Sequence, residues 1–154
     1  MTQNGRVSDD LHPEFAPSDP ERERSARRFA SLQRIADRHA ATASARSRQI
    51  HPDSLAPHEA VRLVAYLAGG LLPADAEEPP IDATDLVAAL TLLPVVRAEL
   101  DELEVGLLAA CRGRGLTWAQ IAFALGLRSG QAAQQRADRL AARTPAEEQS
   151  STGG

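Results

Sequence analysis

Apolar residues recur along this chain at helical spacing, in stretches divided by proline, glycine and acidic residues, and each stretch predicts a helix. The first begins at Glu21, with Phe29, Leu32, Ala36, His39, Ala40 and Ala43 on one stripe and Arg22, Arg24, Arg28, Arg34 and Arg38 placed elsewhere. It is expected to end near Arg48, before a break at His51-Pro52-Asp53-Ser54. A second helix starts at Pro57 or His58, buries Val61, Val64, Ala65 and Leu67, and stops at Gly69-Gly70. Pro73 to Pro80 reads as an acidic, proline-bearing loop. From Asp82 onward, Leu86, Leu93, Leu100 and Leu107 recur at heptad spacing, with Ala89, Val96, Leu103 and Ala110 following each in turn. Pro94 lacks an amide and clashes with the preceding turn, which predicts two helices meeting there, the second running from Pro94 to Cys111. That seam packs either against the domain's other helices or against a second copy of the chain.

The last stretch, Gly115 to Arg143, is the most informative. Thr117 supplies an N-cap for a short helix with Trp118, Ile121, Ala122 and Leu125 on one face, and Trp118 falls on the core side of it. Gly126 provides the left-handed residue that ends a helix, Leu127 turns back toward the core, and Ser129 offers a second N-cap. The helix that follows reaches Arg143, before Pro145 and a polar tail. With Ala133, Ala137 and Leu140 buried, a turn of about 100° per residue puts Gln131, Gln135, Asp138 and Arg139 on the opposite face, with Arg128 beside them. Glutamine pairs bidentately with adenine, and arginine with guanine, in the major groove of DNA. This assigns Gln131, Gln135, Arg128 and Arg139 to base edges and Thr117, Ser129, Arg114, Arg136 and Arg143 to phosphates. Between Gly106 and Thr144 the only acid, Asp138, stands against Arg112, Arg114, Arg128, Arg136, Arg139 and Arg143, although the whole chain has a net charge of −4.

The run Leu116-Thr117-Trp118-Ala119-Gln120-Ile121-Ala122, with Ala124-Leu125-Gly126-Leu127 after it, resembles the helix-turn-helix of sigma-factor region 4. It is also similar to the C-terminal segment of small actinobacterial regulators, some of them labelled regulators of a small heat-shock protein. The likeness covers roughly a fifth of the chain. Two positions depart from the sigma pattern: Arg136 lies one residue later than the usual arginine, and Ala132 replaces a branched apolar residue. Nothing upstream resembles the sigma domain that melts promoter DNA. The resemblance therefore implies a DNA-reading head on a transcriptional regulator, not a sigma factor.

Composition narrows the picture. A chain of 154 residues holds one ordinary domain or two small ones. All 17 basic residues are arginine and alanine is abundant, as in a GC-rich bacterial gene. Cys111 is the single cysteine, so no internal disulfide forms, and Met1 to Asp10 lacks the pattern of a secretory signal. The apolar stretches fall short of a membrane span, and a cytoplasmic, nucleoid-associated protein is expected. Gly69-Gly70 has no downstream lysine, and His12, His39, His51 and His58 have no paired spacing, so neither a phosphate loop nor a zinc site is indicated. No cofactor, metal or catalytic constellation is expected, and the chain reads as a non-enzyme.

The expected fold is all-α: a small helical domain with a C-terminal helix-turn-helix and disordered tails. Residues 1–20 and 145–154 form the tails, 21–110 a helical body that includes a dimerisation region, and 111–144 the DNA-binding segment. The expected partners are double-stranded DNA and a second copy of the chain. Two alternatives remain at this level: an architectural, nucleoid-associated DNA-binding protein, and a helical adaptor that binds RNA polymerase or a sigma factor. The acidic run Glu99, Asp101, Glu102 and Glu104 is expected to face away from DNA, or to meet Arg27, Arg28, Arg34 and Arg38 of the first helix.

Overall fold

The computed structural model describes residues 19–49 and 54–143, and these form an all-α protein with no strand among them. Six helices follow in order: α1 (Pro20–His39), α2 (Ala43–Arg46), α3 (Pro57–Ala68), α4 (Ala83–Gly113), α5 (Trp118–Ala124) and α6 (Gly130–Arg143). Apart from Asp19 and Pro20, the two expected tails lie outside the described residues, as do His51, Pro52 and Asp53 of the expected break. No described helix is long and apolar enough to cross a membrane. The chain divides into two compact units that meet at Leu92 and Leu93, so one helix, α4, contributes to both.

In the first unit, Asp19 caps α1 by accepting from the Glu21 amide at 3.0 Å, and Pro20 occupies the first turn, where its missing N–H has no intrahelical partner to lose. The helix ends at His39, well short of Arg48. Thr42 then accepts from the Ala45 amide and starts the separate short α2. The core differs from the expected stripe in the same way. Ile35 is fully buried, whereas Phe29 is 70% exposed. Ile35 packs with Ala60, Leu63 and Val64 of α3 and Ala88, Ala89 and Leu92 of α4. Burying each large side chain in this set stabilises the unit by about 1.5–3 kcal/mol. Helix α3 keeps its expected bounds: Pro57 opens it, and beyond Ala68 and the C-cap Gly69, Gly70 turns left-handed at φ 69°, so that the Leu71 amide can reach the Tyr66 carbonyl. Its Val61 and Leu67 are half-buried, and Ala65 is exposed rather than in the core.

A charged network pins the loop of residues 69–82 to α1 and α2. Buried His39 places Nδ1 3.1 Å from Glu78 Oε1 and Nε2 3.2 Å from Asp85 Oδ2. Arg34 and Arg38 both donate to Asp85, and Arg48 donates to Glu78. Asp82 and Asp85 exchange backbone-to-carboxylate hydrogen bonds across the first turn of α4, a capping box made of two aspartates. Burial pushes both Glu78 and Asp85 upward. Backbone amides, His39 and the arginines outweigh it and hold both carboxyls below their ordinary values. Arg34 and Arg38 thus find their acids at the start of α4, whereas Arg24 and Arg28 pair with Glu21 and Arg27 with Glu23 inside α1.

Pro94 does not divide α4 into two helices, as its sequence suggested. The helix continues through it, and the one missing amide falls beside the junction between the units. The second unit begins at Leu93, upstream of residue 111, because Val105, Leu108 and Cys111 of α4 belong to the core of α5 and α6. Leu100, Leu103 and Leu107 of the heptad seam are 59%, 64% and 67% exposed, so these positions are not used to pack the unit.

Candidate nucleic-acid interface

The second unit is a helix-turn-helix backed by the C-terminal part of α4. Gly115, at φ 82°, ends the α4 turn and leads into Thr117. The Thr117 hydroxyl accepts from the Gln120 amide, and Gln120 Oε1 accepts from the Thr117 amide at 2.8 Å, a reciprocal cap that fixes the start of α5. Helix α5 ends as its sequence predicted. Gly126 takes φ 66° and lets the Leu127 amide reach back to the Ala122 carbonyl at 2.8 Å. Ser129 then accepts from the Ala132 amide and opens α6.

Ile121 and Ala122 from α5, Ala133 and Leu140 from α6, and Leu108 from α4 form the buried centre. Trp118 is half-buried against it, with the Arg112 guanidinium 4.9 Å from its ring centroid, which makes it a packing residue carrying a cation–π contact. Leu125 is 39% exposed and does not join the core. Where α6 begins, Gly130 lies so near α5 that a Cβ on it would sit 3.1 Å from the Ala119 nitrogen and 3.2 Å from two Trp118 atoms. A side chain at residue 130 would therefore push the two helices apart.

The sequence-predicted reading face is presented to solvent. Gln131, Gln135 and Arg139 are all exposed on α6, with Asp138 among them, and Arg128 is exposed just before the helix. Arg128 and Arg139 have no ion-pair partner among the described residues, and Gln134 is exposed beside this face. Thr117 and Ser129 are exposed and serve as caps. Arg114 is exposed, with a long 3.4 Å contact to the Ala110 carbonyl.

Two of the predicted phosphate residues have partners that the sequence did not reveal. Arg136 grips Glu104 of α4 with both Nε and Nη2, the latter 2.7 Å from Oε2. Arg143, with a 65% exposed side chain, lies 3.7 Å from Asp101. The Arg136 hydrogen bonds hold the Glu104 carboxyl below its ordinary value against some burial, and the Arg136 and Arg143 charges add to the effect. Helical angle is the signal that was there to be read. Arg136 and Arg143 are seven residues apart and about 20° from each other on α6, on the flank of the buried stripe rather than opposite it.

Among the described residues no His, Cys, Asp and Glu side chains gather as a metal site. The cleft beside His39 is lined in part by Arg38, Thr42 and Glu78, whose polar atoms bond to one another's neighbours inside the unit. Set against known protein families, curated proteins and solved structures, the chain finds no match in any of the three.

Proposed function

We propose that the chain is a bacterial transcriptional regulator whose α6 enters the major groove of double-stranded DNA. One observation carries this reading: α6 leaves Gln131, Gln135 and Arg139 exposed with Arg128 alongside, while α5 and Gly130 prop the helix from behind. Two glutamines and two free guanidiniums suit base edges. Arg114 and Arg143, together with the exposed Ser129 hydroxyl, which accepts from the Ala132 amide and keeps its own proton to donate, suit phosphate oxygens. The proposed role is non-enzymatic, and its proposed place is the cytoplasmic nucleoid.

A single short recognition helix contacts little DNA, so the reading includes a homodimer that presents two heads to paired half-sites. The exposed Leu100, Leu103 and Leu107 support pairing of this kind. Light scattering at micromolar concentration is expected to give twice the chain mass, and a monomer throughout would remove this part of the reading.

The test is fluorescence anisotropy with duplexes enriched from a genomic fragment pool, set against an unrelated duplex. Gln131→Ala and Gln135→Ala are expected to change which sequences are enriched. Arg128→Ala should weaken the enriched site by about 1–3 kcal/mol, the scale of a bidentate base contact. Equal affinity for every duplex, altered by none of these substitutions, would refute specific reading. An absence of any DNA binding would refute the function itself.

A further inference from the structure

We propose that Glu104 and Asp101 are positioning residues that hold the recognition helix through Arg136 and Arg143, and that Arg136 is thereby withdrawn from phosphate contact. This inference rests on the DNA reading above. Its geometry is independent of that reading. Asp101 and Glu104 are three residues apart, on one side of α4 and one turn from each other. Arg136 and Arg143 are two turns apart on one flank of α6. The two pairs therefore join the helices at two points along their length, a tight one and a loose one.

Two points of attachment fix what the small core leaves adjustable. Leu140 is the one bulky side chain that α6 buries, and Ala133 and Ala137 are short and smooth, so these contacts let α6 pivot about Leu140 by a few degrees at little energetic cost. A bidentate guanidinium–carboxylate pair admits only a narrow range of orientations. The pair at Arg136 stops the pivot, and the pivot decides whether Gln131, Gln135 and Arg139 point at base edges or at the groove wall. Arg143 keeps a long and exposed pair, so it can exchange Asp101 for a phosphate when DNA docks. Arg136, held by both nitrogens, stays on Glu104.

The experiment compares full-length Glu104→Gln, Arg136→Gln and the reversed pair Glu104→Arg/Arg136→Glu. Each is measured for affinity on an enriched duplex and on a random-sequence duplex, and for hydrogen exchange of the α6 amides without DNA. A positioning pair predicts that both single variants lose about fivefold on the enriched duplex, the upper scale of a partly exposed ion pair, with the random duplex and the salt slope nearly unchanged. The reversed pair is expected to recover most of that loss and to restore α6 protection. A phosphate role for Arg136 predicts the opposite pattern: Arg136→Gln lowers the salt slope by about one, Glu104→Gln tightens binding, and the reversed pair weakens it further. That pattern would overturn the proposal. If the parent chain bound no duplex, the DNA reading would fall, and the exchange data would still decide the clamp. Faster α6 exchange in both single variants, restored by reversal, would uphold it, and unchanged exchange would overturn it.

Discussion

The close approach of Gly130 to α5 predicts opposite outcomes for one substitution made at two helical glycines. Gly106 lies inside α4, and a Cβ added there meets nothing within 4 Å. Alanine is favoured over glycine in a helix by about 0.5–1 kcal/mol, so Gly106→Ala should stabilise the second unit by that amount. At Gly130 the added methyl would stand 3.1 Å from the Ala119 nitrogen and 3.2 Å from the Trp118 carbonyl carbon and Cβ. Two of these three atoms are backbone, which cannot swing aside as a side-chain tip does. Overpacking of this kind costs about 1–3 kcal/mol. The propensity gain is smaller at the first residue of a helix than in its middle. The balance is a net loss of about 1 kcal/mol, or roughly 4–8 °C in a domain of about 60–100 residues. Urea and thermal unfolding followed by circular dichroism would measure both variants. If Gly130→Ala stabilised the protein as much as Gly106→Ala, the tight α5–α6 contact would be refuted, and with it the claim that Gly130 sets the spacing of these two helices.

Two further outcomes follow from the charged groups. Asp85→Asn replaces one carboxylate oxygen with an amide that cannot accept from His39, Arg38 or the Asp82 backbone, and should destabilise the first unit by about 3 kcal/mol, measured by chemical denaturation. A change below about 1 kcal/mol would mean that the network is not holding the loop to α1. Acid should also unfold the chain. Glu78, Asp82, Asp85 and Glu104 are all held below their ordinary values of 4.5 for glutamate and 3.8 for aspartate. Their stabilisation is present above those values and is lost as pH falls through the lowered folded-state values, so the melting temperature should decline steeply below about pH 4.

What was legible in the sequence was local. Thr117, Gly126 and Ser129 each act on amides a few residues away, so their identities alone located both ends of α5 and the start of α6. The end of α1 was not legible, because His39 answers to Glu78 and Asp85, which are 39 and 46 residues distant. Ile35 was missed for a related reason. It lies one position from Ala36; Leu32, His39 and Ala40 of the expected stripe do lie against the core or inside it, but Phe29, the largest apolar side chain of that stripe, does not. The spacing Asp82-Ala83-Thr84-Asp85 carried a readable sign of a capping box, and the need of Arg34 and Arg38 for acids carried the other half. Pro94 misled because a proline removes one hydrogen bond, here to the Leu90 carbonyl, and so weakens a helix without having to end it.

Counting arginines along the sequence overstated the charge available to DNA. Of the six between Gly106 and Thr144, Arg136 is joined to Glu104, Arg143 stands near Asp101, and Arg112 lies over Trp118 while donating to the Leu116 carbonyl. Arg114, Arg128 and Arg139 remain without a carboxylate partner among the described residues, and two of these are assigned to bases. In the proposed DNA complex one head would therefore neutralise about two phosphates, Arg114 with Arg143 once it leaves Asp101, and log affinity should fall against log salt with a slope near −2. Two phosphate contacts alone would leave an isolated head mostly unbound at physiological salt. Pairing of two copies doubles the count, and the proposed regulator should show a slope near −4. Anisotropy titrations across salt concentrations decide between these. A slope near −2 with tight binding would refute the homodimer, since affinity would then come from base contacts within one head. A slope steeper than about −6 would mean that arginines outside α6, such as those on α1, also reach the backbone.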